Sequence, residues 1–213
     1  MARRDERRRK AIKRPARRGL VAAAGGVIFL LACAGGYRAL LGPGPSFSIG
    51  GPFTLVDSQG QMRSDSSFRG RYVLIFFGYT RCADVCPQTL TQISEALDRI
   101  DPDAKRIQPL FITVDPEHDT LQRLHQYTSA FSPKLIGLTG TTEQLGEVER
   151  LFHVVVEPHG EGDKQDLDHS AVIYLLGPDG EFIAPIPANT DRAALQAALH
   201  RYVRTSVLDQ NQI

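Results

Sequence analysis

The sequence predicts an α/β sandwich with helices on both faces of a mixed central sheet. Three observations point there. From Pro52 onward, short apolar runs alternate with helical patterns. Residues 72–77 form a nearly unbroken apolar run, as a strand buried on both faces requires. The chain then closes on a hairpin followed by a helix.

The elements follow in order. Residues 53–57 and 72–77 read as strands, the second central. From Pro87 to about Ile100 the pattern is helical, with proline in the first turn and Leu90, Ile93, Leu97 and Ile100 on one face. Residues 107–114 read as a strand, 120–131 as a helix and 134–138 as a short strand. Residues 141–152 form a helix with Leu145, Val148 and Leu151 in register, and 154–157 are extended. Residues 171–176 and 181–184 flank the turn formers Gly177, Pro178, Asp179 and Gly180 as a hairpin. Asp191 caps a last helix to about Val203. No internal repeat is visible. The middle of this order is a strand, then a loop bearing Cys82 and Cys86, then a helix. That is a thioredoxin-like arrangement, which assigns residues 53–205 to one domain and 206–213 to a tail.

The segment before the domain has its own logic. Residues 1–18 hold ten Lys/Arg against Asp5 and Glu6, whereas the rest of the chain carries 15 basic and 22 acidic side chains. A basic head on an acidic body is not the footprint of a nucleic-acid-binding domain. Residues 19–37 carry no charge and as a helix would span roughly 28 Å, close to the hydrocarbon thickness of about 30 Å. The expected anatomy is a cytoplasmic head at 1–18, a transmembrane anchor or signal segment at 19–41 and a turn-rich linker at 42–52. A cleaved signal peptide is one alternative. A lipoprotein signal is another, because Leu30-Leu31-Ala32-Cys33 resembles a lipobox. All three readings export the body. Acidic residues in the head fit a mitochondrial presequence poorly, so the expected site is an inner membrane with the domain in the periplasm.

Cys82 and Cys86 stand where strand gives way to helix. Unpaired N–H groups and the helix dipole favour a thiolate at Cys86, the form that both metal binding and disulfide exchange need. A purely structural bridge would close a very short loop and contribute little. A third ligand would separate a metal pair from a redox pair. Among six histidines, His169 lies between the acidic stretch 157–168, read as mobile, and the apolar strand 171–176, where a loop can deliver it toward the cysteines. His118, His125 and His200 fall on or near solvated helical positions, whereas His153 and His159 stay open. Two thiolates and one imidazole would suit Cu(I) and tolerate Cu(II); zinc with an added water is the competing occupant.

The run from Phe77 through Cys82, Asp84 and Cys86 to Pro87 closely resembles the site of the SCO/SenC family. So do the segments Asp115-Pro116-Glu117-His118-Asp119-Thr120, Phe131-Ser132-Pro133-Lys134-Leu135, Leu138-Thr139-Gly140, Asp168-His169-Ser170 and Gly177-Pro178-Asp179-Gly180-Glu181-Phe182. The resemblance covers about residues 48–204. It implies a thioredoxin-like fold, a single membrane anchor, and one copper ion per chain held by Cys82, Cys86 and His169. It also implies a role in building the copper-A centre of cytochrome c oxidase, with the oxidase subunit bearing that centre as partner. Asp84, Asp115 and Asp168 match the family's acidic positions and are read as groups that orient the ligands. Two positions depart: Arg81 stands where His is common, and Ala83 where Pro is common. The implied activity is a copper carrier rather than a turnover catalyst, kept open by a thioredoxin-type reductant. The rival is a thiol–disulfide oxidoreductase that reduces the oxidase subunit's cysteines. A thioredoxin-like peroxidase fits poorly, because Thr80 stands two residues before Cys82, not three.

Overall fold

The structure, a computed structural model, describes residues 48–132, 134–159 and 166–209. The expected head, the anchor segment and Cys33 lie outside the described residues. Among those described, no helix is long and apolar enough to cross a membrane.

Nine strands and four α-helices are described. They are β1 (Thr54–Asp57), β2 (Met62–Ser64), β3 (Tyr72–Gly78), α1 (Val85–Ile100), β4 (Ile107–Thr113), α2 (Leu121–Phe131) and β5 (Ile136–Thr139). After them come α3 (Thr142–Phe152), β6 (Val156–His159), β7 (Asp166–His169), β8 (Val172–Leu176), β9 (Phe182–Pro187) and α4 (Arg192–Asp209). Seven strands form one sheet in the order β2-β1-β5-β4-β3-β8-β9. β3, β4 and β5 run parallel, joined through α1 and α2, and the outer strands attach antiparallel. The sheet is mixed, as predicted.

β3 explains the layering. All seven of its residues are buried, and their side chains alternate between faces. Tyr72, Leu74 and Phe76 pack with Leu90, Ile93 and Leu97 of α1, Leu124 of α2, and Leu195 and Leu199 of α4. Val73, Ile75 and Phe77 pack on the other face with Leu145, Val148 and Phe152 of α3. Each fully buried side chain of this size contributes roughly 1.5–3 kcal/mol of transfer free energy. Local chemistry fixes the helix starts. Thr120 accepts from the Arg123 N–H at the head of α2, and Thr141 and Gln144 form a reciprocal capping box on α3.

Four details differ from the sequence expectation. α1 begins at Val85, so Pro87 is its third residue and still sits within the first turn, where its missing N–H costs nothing. β9 extends to Pro187 and α4 to Asp209. β2 and the 3-10 turn Asp65–Phe68 have no counterpart in the sequence expectation. The acidic stretch read as mobile contributes β6 and β7, an antiparallel ribbon with Val156 opposite His169 and Pro158 opposite Leu167. Residues 160–165 between them lie outside the described residues.

Candidate metal centre

The cysteines sit on the turn from β3 into α1. At Gly78 the carbonyl still accepts the Val114 N–H at 2.8 Å, and the chain then leaves the sheet. A Cβ on Gly78 would lie 2.7 Å from the Cys86 sulfur and 2.8 Å from the Phe111 ring, so the close approach of helix to strand needs glycine here. The turn is closed by the Cys82 N–H on the Tyr79 carbonyl at 3.2 Å. The Cys86 N–H donates to the Cys82 sulfur at 3.4 Å, which brings the two sulfur-bearing residues onto one side of a single turn. Cys82 is half-buried and touches both core layers, whereas Cys86 is 0% exposed.

Electrostatics at Cys86 run against the sequence expectation. A hydrogen bond shared with Cys82, then burial, push the Cys86 thiol up, and the Asp119 carboxylate adds to this. A Tyr79 N–H donated to the sulfur opposes them without prevailing. The helix start alone does not make a thiolate of Cys86; the hydrogen bond with Cys82, reinforced by burial, wins. Binding a cation would supply the missing positive charge, because coordination replaces the proton.

Beneath the turn lies a carboxylate anchor. Asp119 is 1% exposed and accepts from the Thr113 hydroxyl at 2.5 Å, the Thr80 hydroxyl at 2.5 Å and the Thr80 N–H at 3.1 Å. These bonds tie the end of β4 and the segment before α2 to the cysteine turn. Asp115 accepts from Arg81 at 2.9 Å and pairs with His118 Nδ1 at 2.7 Å. Burial opposes its ionisation, but the bonds from His118 and Arg81 outweigh this and hold the carboxyl below its ordinary 3.8. Arg81 thus answers Asp115 across the loop. Asp84 stands at the cap position of α1, is exposed, and its carboxylate bonds the Gln88 amide.

The third expected ligand is placed by its backbone. His169 is the last residue of β7, and the Leu167 N–H, two residues earlier, donates to the Tyr79 hydroxyl at 3.3 Å. The ribbon that carries His169 is therefore bonded to the turn that carries the cysteines. At the ribbon's base, the Val155 N–H donates to the Ser170 hydroxyl at 3.1 Å and the Ser170 N–H to the Val155 carbonyl at 3.2 Å. The side chains of His169, Asp168 and His159 lie outside the described residues. Among the described side chains, no group of three His, Cys, Asp or Glu converges. His125 and His200 are exposed on α2 and α4, and His153 ends α3 in a left-handed conformation. At the other end of β3, Phe53, Phe68, Val73, Ile75 and Leu176 line an apolar hollow of about 310 Å³ bordered by no cysteine or histidine.

A mixed sheet flanked by helices, with two cysteines on the turn that leaves a central strand, defines a thioredoxin-like dithiol protein. A family profile described as SCO1/SenC matches residues 43–204. The chain belongs to the SCO1/SenC family. It is 39% identical over 163 residues to human "Protein SCO1 homolog, mitochondrial", a match that covers 73% of this chain and 53% of that protein. Over 136 residues it is 43% identical to the bovine "Protein SCO2 homolog, mitochondrial", covering 62% and 51%. The chain thus spans about half the length of these curated relatives. Among solved structures, Arabidopsis thaliana ScoI with copper bound matches with a TM-score of 0.70 at 36% identity, covering 74% of this chain and 99% of that one. Bradyrhizobium japonicum ScoI with copper bound matches at 0.67 and 40%, covering 73% and 99%.

Proposed function

We propose that this protein is a membrane-anchored copper carrier that loads, or prepares, the copper-A site of cytochrome c oxidase. Cys82, Cys86 and His169 would hold one copper ion as cargo. The observation that carries the reading is the cysteine turn itself: two soft donors on one turn, bonded through Tyr79 to the ribbon that ends at His169. The copper-bound state of the Arabidopsis and Bradyrhizobium relatives supports it. Transfer is ligand exchange: a sulfur of the copper-A-bearing subunit displaces one ligand at a time, and no electron needs to move. An oxidised pair holds one S–S bond and offers no thiolate to copper. A thioredoxin-type dithiol restores the thiols by becoming a disulfide itself. Residues 19–41 would anchor the chain in an inner membrane, with residues 1–18 in the cytoplasm and the domain in the periplasm. Asp168, beside His169, would orient its ring.

The second reading is the thiol–disulfide oxidoreductase that reduces the oxidase subunit's cysteines. The contrast of a half-buried Cys82 with a sealed Cys86 favours it, because exchange needs one reachable sulfur. One experiment separates the two. The full chain and its His169→Ala variant are purified anaerobically in detergent and offered copper and zinc in competition. One copper per chain in the parent and a sharp loss in the variant are expected. Equal copper in both, with intact thiol exchange, establishes the reductase instead.

A further inference from the structure

We propose that Tyr79 is a positioning residue that clamps the β6–β7 ribbon onto the cysteine turn and so determines how tightly the third ligand is presented. This rests on the reading of Cys82, Cys86 and His169 as copper ligands. Tyr79 is 4% exposed and uses all three of its polar groups at the site. Its backbone N–H donates to the Cys86 sulfur, its carbonyl accepts the Cys82 N–H at 3.2 Å, and its hydroxyl accepts the Leu167 N–H at 3.3 Å. One residue therefore bonds both cysteines and the strand that delivers His169.

The ribbon needs such an attachment. β6 and β7 pair only with each other, apart from the main sheet, and an isolated two-stranded ribbon is marginal in water. Its edges leave outward N–H groups that must find acceptors. The Leu167 N–H is one of these, and the Tyr79 hydroxyl takes it. Directly opposite, Pro158 has no N–H to offer, so this rung leaves no orphan donor on the far edge. From Leu167 to His169 is two residues, about 6.6 Å of strand. A bond at Leu167 thus fixes the ribbon two rungs away from the ligand, and the Val155–Ser170 bonds close its base. Loss of the hydroxyl would leave the Tyr79 backbone and ring in place while freeing the ribbon to lift.

The test is Tyr79→Phe in the full chain, alone and combined with His169→Ala. Amide exchange at Leu167 and Cu(I) affinity are both measured, the latter against a competing chelator. Leu167 exchange about ten-fold faster is expected, together with copper bound about three- to ten-fold more weakly, the loss of one net hydrogen bond. In the His169→Ala background the substitution should cost no further affinity, because the ribbon then delivers nothing. An unchanged Leu167 amide overturns the clamp. Equal weakening in both backgrounds also overturns it, by placing the effect on the cysteines. Should His169→Ala alone leave copper affinity intact, the ligand reading falls; should it weaken copper while Tyr79→Phe does not, only the clamp falls.

Discussion

At Asp115, burial raises the carboxyl's pKa, while Arg81 and His118 lower it more. A group depressed in the folded state contributes stability above its unfolded value and loses it as pH falls through the folded one. Asp115→Asn should therefore be less stable than the parent at neutral pH. The gap should begin to narrow below about pH 4 and close at still lower pH, as read from urea midpoints across a pH series. The sequence offers Asp115 as a group that orients a ligand; its described partners are Arg81 and His118. Asp119, the deeper of the two, enters the sequence reading only as part of the family-like segment 115–120, without a role. Its role depends on Thr80 and Thr113, which are 39 and 6 residues away in the chain, and no spacing rule joins three such positions. The high Cys86 pKa was also not legible, since a helix start is visible in sequence and complete burial of a sulfur is not.

The strand–turn–helix unit from β3 to α1 sets the geometry of the cysteines, and Gly78 is where strand and helix meet. Gly78→Ala would drive a methyl against the Cys86 sulfur and the Phe111 ring, neither at the end of a flexible chain. The expected cost is about 1–3 kcal/mol of stability. Cys86 should also react faster with an alkylating reagent, measured by mass spectrometry over time. The central elements were readable because their signals are strong. β3 is a continuous apolar run, and α1 presents Leu90, Ile93 and Leu97 at helical spacing. β2 is three residues long, and its partner register with β1 leaves no apolar alternation to read. The sequence offers extended chain and an acidic loop at β6 and β7 because each is four residues with acidic rather than apolar content. They acquire strand geometry only through each other and through Tyr79.

The two faces of the sheet carry separate core layers, and the cysteine-bearing helix belongs to the layer that α4 completes. Leu195 of α4 is fully buried against that layer. Leu195→Ala should cost about 2–5 kcal/mol by leaving a cavity, seen as a lowered denaturant midpoint with an unchanged slope. Cys82 lies at the seam, against both layers and half-buried, while Cys86 is fully buried. Access from outside is consequently one-sided. A thiol-reactive group approaching from solvent should therefore meet Cys82 before Cys86. Entry through one atom and completion by another would give any exchange at this turn an order.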